Sequence, residues 1–199
     1  MTDKDYALAI IELKTKDDIL RDRLIKNGSL WDGYHPDMRA LHNENIHRLK
    51  AMMVSNGFPR ISTVGKEAYE AAFFIVQHAI DHPTVIKKYA EDLWSEAQKG
   101  DALMIHYAYL IDRIAVFEGH PQIYGTQFDW DEFGQLSPMG EVNFKAVNTK
   151  RKELGLVPLE DQIVRMRAQA KKHGQTPPSD FEEKQARSHA WLKEVGWRT

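Results

Sequence analysis

The sequence predicts a mainly α-helical fold: a compact bundle of about six to eight helices, with one small β-hairpin near residues 122–139. Two observations predict the helices. Apolar residues recur at spacings of three and four along most of the chain, and glycine or proline follows most of these runs. A third observation predicts the hairpin, because the helical spacing stops after Gly119 and two short strand-like runs flank a turn.

The central helix is predicted within the most apolar stretch, Val64 to His82. Residues 68–80 are apolar almost all the way round a helix, which is typical of a helix buried in the middle of a protein. Its end differs, because Gln77, His78 and Asp81 place three polar groups on one side. Burying such groups is costly unless they are hydrogen-bonded or paired, and this polar end is therefore the candidate site.

Start and stop signals bound the other helices. In chain order they are predicted at residues 3–27, 36–56, 83–99, 101–118, 142–154, 159–173 and 179–195. Asp101 is the predicted N-cap of the helix that it begins, and the spacing from Ser179 to Glu182 predicts a capping box for the last helix. A stripe predicts the buried face of the first helix, and it comprises Leu8, Ile11, Ile19 and Leu24. This stripe leaves Asp17 and Arg21 as an exposed ion pair of small value.

The hairpin strands are predicted at residues 122–128 and 135–139, on either side of the turn residues 131–134. Gly125 inside the first strand indicates a bulge or the close approach of another group. The helix before the hairpin has Asp112 on its apolar face, and a buried carboxylate needs a partner. The candidate partners are Arg113, His78 and Arg21.

Composition excludes several classes of protein. The chain has 199 residues, a formal net charge of -2 and no cysteine. The lack of cysteine excludes disulfides, thiolate metal sites and cysteine nucleophiles, and the near-neutral charge argues against a nucleic-acid partner. No apolar run is long enough to cross a membrane, and the first residues lack the basic region of a signal peptide. We therefore expect a cytoplasmic protein.

A series of short motifs follows a familiar order along the chain. They are Asp17-xxx-Arg21, Asn45, Gly57-Phe58-Pro59, Gly65, Gln77-His78-Ala79-x-Asp81, Ala108-Tyr109-Leu110-x-Asp112-Arg113, Gly119-x-x-Gln122-x-Tyr124-Gly125-Thr126-Gln127, Asn148-x-x-Arg151 and Gly155-Leu156. In this order the chain resembles a bacterial family of small, mainly helical domains of unknown function. The resemblance covers about residues 13–160. It implies the fold and the grouping of the polar residues, and it implies no activity.

The chain departs from the resembled family at two positions. The family commonly has tryptophan where Phe58 stands and an acidic residue where His42 stands. Neither position belongs to the polar set of the motifs. We predict residues 1–160 as a helical core domain and residues 161–199 as a helical extension, which packs on the core or on a partner chain, as in a homodimer. Trp191 and Trp197 are the side chains expected to make this contact.

The polar residues of the motifs define the predicted site. His78 with Asp81 or Asp112 is expected to act as a general acid or base, because a carboxylate fixes the tautomer of the imidazole. Other residues offer charged or neutral hydrogen bonds to a substrate, and they are Arg21, Gln77, Arg113, Gln122, Tyr124, Thr126, Gln127 and Arg151. We expect the side chains of His78, Asp112 and Arg113 to converge on one cavity with Asp81.

Three function classes fit this site. The preferred class is a small enzyme without cofactor or bound metal, which uses His78 on a small, anionic or amide-containing, peptide-like substrate. The second is a metal-dependent enzyme whose mixed site uses His78, Asp81 and Asp112, with His82 or His106 as a further ligand. The third is a non-catalytic ligand-binding or interaction domain. The preferred class predicts no tightly bound transition metal.

Overall fold

The structure is a computed structural model that describes residues 1–31 and 34–199, and it confirms the mainly α-helical fold with one small hairpin. The helices are α1 (Asp3–Lys26), α2 (Pro36–Asn56), α3 (Ile61–His78), α4 (Pro83–Gln98), α5 (Met104–Glu118), α6 (Phe144–Glu153), α7 (Leu159–Lys172) and α8 (Phe181–Glu194), and a short 3-10 helix covers Ser29–Trp31. Strands β1 (Phe128–Trp130) and β2 (Leu136–Pro138) pair antiparallel, with Asp129 opposite Ser137. None of the described helices is long and apolar enough to cross a membrane.

The chain forms two compact units, Met1–Leu103 and Met104–Thr199. The division falls earlier in the chain than the predicted end of the core at residue 160. The first unit contains α1 to α4, and the second contains α5, the hairpin and α6 to α8. The proposed extension therefore belongs to the same unit as the hairpin.

In the first unit α3 is the central helix, as predicted. Most of its side chains from Ala68 to Val76 are buried, whereas Glu67 and Glu70 are exposed, and it packs against α1, α2 and α4. The helix begins at Ile61 and bends at Gly65, whose φ of 78° lies outside the helical range. Asp101 stabilises the start of α3 at Ile61, because its carboxylate accepts hydrogen bonds from the backbone N–H and the hydroxyl of Ser62. Asp101 therefore stabilises the first turn of α3. It is not the N-cap of α5, as predicted, because α5 begins at Met104.

The buried face of α1 differs from the predicted stripe. The side chains that α1 buries are Tyr6, Ile10, Leu13, Asp17 and Leu24. Leu8 and Ile19 of the predicted stripe are exposed. Both sets have helical spacing, but the observed set has the large aromatic ring of Tyr6 and is the one that meets α3. Asp17 lies on this buried face and is 1% exposed, so its prediction as an exposed ion pair with Arg21 is wrong.

In the second unit, residues 122–127 form a loop and not the predicted strand, so the hairpin is limited to β1 and β2. Gly125 of this loop is buried with a φ of 62°, and a Cβ atom there would lie 3.0 Å from the side chain of Leu159. This confirms the predicted close approach. The predicted capping box of α8 does not form, because the helix begins at Phe181 after Asp180, with no side-chain cap.

The end of the chain packs within the second unit. The rings of Trp191 and Trp197 lie 5.5 and 5.1 Å from the ring of Phe117 on α5. Arg198 donates hydrogen bonds to the carbonyl oxygens of Val116 and Phe117. These two carbonyls belong to the last turn of α5, where the N–H donors that a continuing helix would supply are missing.

Candidate functional site

The polar end of α3 brings together side chains from three helices. The helix ends at His78 because Ala79, with a ψ of 45°, leaves the helical conformation, and Pro83 begins α4. His78 is half-buried there. Helices α1 and α2 both pack against α3, so polar side chains on their inner faces can reach His78.

Asp17 of α1, His42 of α2 and His78 of α3 form what we call the Asp–His–His cluster. Each residue offers one ligand atom, and these atoms all lie within 4.8 Å of one another. Metal–ligand bonds of about 2.1 Å place neighbouring ligand atoms roughly 3–4 Å apart, so a small side-chain movement would let all three bind one ion. A carboxylate with two imidazoles is a common ligand set for divalent transition metals.

The contact between Asp17 and His42 is close but is not an ordinary hydrogen bond. His42 Nε2 lies 2.8 Å from Asp17 Oδ2, yet a proton on that nitrogen would not point at the oxygen. Asp17 Oδ1 is also buried and accepts no hydrogen bond from the described residues. A buried carboxylate in this condition is costly unless a positive charge lies beside it.

Tyr34 holds the other side of the His42 ring. Its hydroxyl oxygen lies 2.7 Å from His42 Nδ1. Burial, with the negative charges of Asp81 and Asp17, raises the pKa of Tyr34, so the hydroxyl stays protonated. If Nδ1 carries the proton and donates it to Tyr34, then Nε2 presents a lone pair to the cluster. If Tyr34 donates instead, Nε2 carries the proton and His42 can act as an acid.

The ring of His78 is held between two other rings. It stacks on His42 with centroids 5.2 Å apart, and the ring of Phe74 meets it edge-on at 4.1 Å. Lys14 Nζ lies 4.7 Å from the centre of the Phe74 ring, which it approaches from α1. These contacts limit the rotation of His78 and place a positive charge near the outer part of the cluster.

A second polar pair lies beside the cluster. Arg39 Nε donates to Asp81 Oδ2 at 2.6 Å, and Asn43 Nδ2 donates to the same oxygen at 3.2 Å. Arg39 lies one turn before His42 on α2, and Asp81 lies in the segment between α3 and α4, so this pair links α2 to the chain just beyond the end of α3. Asp81 therefore binds Arg39 and Asn43, and its predicted role beside His78 stays a prediction.

His82 extends this polar surface. Its Nε2 atom lies 3.0 Å from the side-chain oxygen of Asn43, and its ring meets the ring of His47 edge-on at 5.1 Å. Burial, and secondly the neighbouring charge of His47, lower the pKa of His82 below its usual value. His82 is thus neutral at pH 7 and links α2 to the start of α4.

Asp112, the predicted second carboxylate, lies in the other unit and holds the loop at 122–127. Asp112 Oδ1 accepts the backbone N–H of Ile123 at 2.7 Å and that of Tyr124 at 3.0 Å. Asp112 Oδ2 accepts both the backbone N–H and the hydroxyl of Thr126 at 2.9 Å. Burial raises the pKa of Asp112, and these hydrogen bonds oppose that rise. The partners of Asp112 are therefore three backbone amides and the Thr126 hydroxyl of the loop, and not the predicted Arg113, His78 or Arg21.

The other predicted binding residues of the second unit also bond to the protein itself. Arg113 Nε donates to Gln127 Oε1 at 3.0 Å, and burial lowers the pKa of Arg113 to about 10. Gln122 Nε2 donates to the carbonyl of Gln127 at 3.0 Å. Arg151 Nη1 donates to the carbonyl of Tyr124 at 2.7 Å. These contacts stabilise the loop, and a role for these residues in substrate binding stays a prediction.

The predicted site residues thus form two sets with separate partners. His78, Asp81, Gln77 and Arg21 belong to the first unit, where Gln77 and Arg21 are half-buried. The residues from Asp112 to Arg151 belong to the second. Their convergence on one cavity stays a prediction.

Sequence reasoning placed His42 outside the polar set, and the structure places it inside. His42 lies on the buried face of α2, whose buried side chains are Met38, His42, Asn45, Ile46 and Leu49. The spacing of Met38, His42 and Leu49 is helical, and this pattern marks His42 as a buried polar residue. Asp17 was identified as part of a motif but paired with the wrong partner.

Comparisons with known proteins identify a family and no characterised relative. The model of a family of unknown function (DUF6624) matches residues 5–172. No curated protein and no solved structure matches the chain. The matched residues include both the Asp–His–His cluster and the loop around Asp112. Since the function of the family is unknown, any functional conclusion rests on the geometry of these residues.

Proposed function

We propose that the chain, which belongs to this family of unknown function, is a metal-dependent enzyme. The proposal rests on the geometry of the Asp–His–His cluster. Asp17, His42 and His78 bind one divalent transition-metal ion such as zinc, iron or manganese. The observation that carries this proposal is the convergence of three ligand atoms within 4.8 Å around a carboxylate that is 1% exposed. This assignment keeps the mixed His/Asp site of the second sequence hypothesis but changes its ligands, because Asp81 and Asp112 have other partners.

The chemistry of the donor set fits such an ion. Two neutral imidazoles and one carboxylate are the ligands that transition metals accept, and the ion supplies the positive charge that buried Asp17 needs. The hydrogen bond at His42 Nδ1 is the outer contact expected for a histidine that binds metal through Nε2.

Three protein ligands are the number found in catalytic zinc sites, which keep a position for water or substrate, whereas structural sites use four. Half-buried His78 lies on the side of the cluster that solvent can reach. A metal ion in such a site acts as a Lewis acid and lowers the pKa of its bound water. We therefore assign the reaction class as metal-assisted attack by water on a small-molecule or peptide-like substrate.

An acid–base enzyme without metal, the preferred sequence hypothesis, is the second candidate. It is favoured by the 2.8 Å separation of His42 Nε2 and Asp17 Oδ2, since a small rotation of the ring would align a hydrogen bond. In this case Tyr34 donates to Nδ1, and Asp17 orients His42 as the general acid or base. His78 would then line the site and contact the substrate.

The remaining sequence expectations are part of the same proposal. A cytoplasmic location accords with a chain that has no cysteine. A net charge of -2 accords with a small-molecule partner and not with nucleic acid. A homodimer is a further expectation, which sedimentation of the purified protein would test.

Metal content distinguishes the two candidates. We expect the wild-type protein, purified without a histidine tag, to retain about one equivalent of transition metal, as for a catalytic site. His78→Ala should lose it, and the matched control His47→Ala should keep it, because His47 is exposed on the outer face of α2. If wild-type protein holds no metal, and zinc, manganese, iron and cobalt leave its melting temperature unchanged, the acid–base candidate replaces the metal centre.

A further inference from the structure

The second unit contains a cavity beside its β-hairpin, which we call the hairpin cavity. Its volume is about 660 Å³, which is within the usual range of small-molecule sites. The hairpin forms one wall, the end of α5 and the residues after it form another, and α8 with Arg198 forms a third. The match to the family model ends at residue 172, so the third wall comes from a part of the chain outside the matched region.

Contacts within the second unit fix the walls of the hairpin cavity. Lys184 of α8 donates to both carboxylate oxygens of Asp129 on β1, at 2.6 and 2.7 Å. Asp131 Oδ1 accepts the backbone N–H of Phe133 at 3.0 Å, and Asp131 Oδ2 accepts the hydroxyl of Ser137 at 2.7 Å. These contacts form the cavity without a ligand, which lowers the entropy cost of binding one.

Most of the charges at the hairpin cavity have partners in the protein. Four carboxylates and one arginine line it. Asp129 pairs with Lys184, and Asp131 is bonded within the turn, one hydrogen bond away from Arg167. With Lys184 and Arg167 included, the four carboxylates are accompanied by three cations. The third cation, Arg198, donates to two carbonyls at the end of α5, where the helix dipole is negative.

Glu132 and Glu141 are the two remaining carboxylates of the wall. Both are exposed, and no described residue gives either of them a hydrogen bond or an ion pair. Glu132 lies in the turn after β1, and Glu141 lies beyond β2 at the opposite end of the hairpin. The paired strands between them span roughly 7 Å. The other titratable groups of the wall are His120 and His189, so at a pH where histidine is neutral the cavity offers two separated negative charges.

Three aromatic rings line the same cavity, those of Trp130, Phe133 and Phe181. The face of an aromatic ring attracts a cation, and tryptophan does so most strongly. The rings also offer an apolar surface to an alkyl chain. Among the described residues, no three histidine or carboxylate side chains of this cavity lie close enough together to hold a metal ion. The lining therefore favours an organic cation over a metal ion.

We infer that the hairpin cavity binds a linear aliphatic diamine or polyamine. Its ammonium groups pair with Glu132 and Glu141, and its alkyl chain lies along the aromatic rings. One exposed ion pair is worth little, so the affinity depends on binding both carboxylates at once, which the linking chain makes possible. This site is independent of the proposed metal centre and lies in the other unit of the chain.

The test is calorimetric titration of the full chain with diaminobutane, diaminohexane, diaminooctane and diaminodecane, each compared with the monoamine of the same length. The titrations are run at about pH 8, where histidine is ordinarily neutral. We expect at least one diamine to bind about tenfold or more tightly than its monoamine, because the second ammonium group adds a charged hydrogen bond. A diamine too short to span the two carboxylates should show no such gain.

Glu132→Gln and Glu141→Gln should each weaken the binding of that diamine about tenfold, to the level of the monoamine. Both side chains are exposed, so both variants are expected to fold. Glu182→Gln is the matched control, since Glu182 is exposed on α8, makes the same change in net charge and does not line the cavity. It should change the affinity less than about twofold.

Melting temperatures are measured for every variant, and if one of the two cavity variants does not fold, the other decides. The inference is overturned if no diamine binds, or if no diamine binds more tightly than its monoamine. It is also overturned if Glu182→Gln weakens binding as much as the cavity variants do, because the effect would then be one of overall charge. None of these outcomes bears on the metal content of the protein, so the two proposals fail separately.

Discussion

Replacing Asp17 by asparagine tests whether the Asp–His–His cluster is a metal-binding site. Asp17 is 1% exposed, and its Oδ1 atom accepts no hydrogen bond from the described residues. Asparagine has nearly the same shape and removes the buried charge. We expect the metal-free variant to be more stable than wild type by about 1–3 kcal/mol. For a chain of this length, 1 kcal/mol corresponds to about 2–4 °C in melting temperature.

The same substitution should abolish stabilisation by metal. A ligand at one hundred times its dissociation constant stabilises the folded state by about 2.7 kcal/mol. Urea unfolding with and without zinc should show this gain for wild type and none for Asp17→Asn. Asp18→Asn is the matched control on the next residue. Asp18 pairs with Lys14 at the surface, so its loss should cost less than about 1 kcal/mol and leave the zinc effect intact.

The opposite result would refute this reasoning. If Asp17 and His42 form a structural ion pair, Asp17→Asn leaves the imidazolium without its counter-charge in the interior. The variant would then be less stable than wild type by about 3–5 kcal/mol, with or without zinc. That loss, together with a wild-type protein that zinc does not stabilise, would remove the metal centre.

Three further predictions concern residues around the site and in the loop. Tyr34→Phe should lower metal affinity about 10–100-fold in chelator competition, because it removes the outer hydrogen bond of a ligand; Tyr6→Phe, which loses a hydrogen bond to a backbone carbonyl, should leave that affinity unchanged. Asp112→Ala should cost about 3 kcal/mol or more in urea unfolding, since it leaves the amides of residues 123, 124 and 126 without their acceptor; a loss below about 1 kcal/mol would contradict this role. The lowered pKa of His82 means that the folded state binds a proton at this residue less readily than the unfolded state does. The contribution of neutral His82 to the free energy of unfolding is therefore complete above pH 6.5 and is lost as the pH falls toward the folded-state pKa. His82→Gln should therefore flatten the dependence of unfolding free energy on pH below 6.5, and an unchanged slope would count against it.

Local sequence signals predicted the helices well. Helix α2 has the predicted bounds because Pro36 suits a first turn and Gly57, with a φ of 81°, suits an end. The central position of α3 followed from its apolar surface. The start of α3 could not be predicted in this way, since it depends on Asp101, which is 39 residues beyond Ser62. Contacts of this range leave no local pattern in the sequence.

The sequence placed the candidate site at the polar end of α3, where the Asp–His–His cluster lies, but it assigned other residues to that site. His78 and the polar end of α3 were identified, because a polar group on an apolar helix needs an explanation. Asp17 was missed because α1 has two stripes with helical spacing, and only packing decides which is buried. Asp112 was correctly predicted to be buried, but its partners are backbone amides of a loop. The conformation of that loop cannot be read from hydrophobic spacing.

The measurement that tests the metal centre most directly is an anomalous-scattering map from crystals of wild-type protein. Data are collected on either side of the absorption edge of the metal found in solution, or of zinc supplied at millimolar concentration. We predict one strong peak about 2.0–2.2 Å from His42 Nε2, from a ring nitrogen of His78 and from an oxygen of Asp17. A map without a peak there, from crystals grown with zinc, would contradict it.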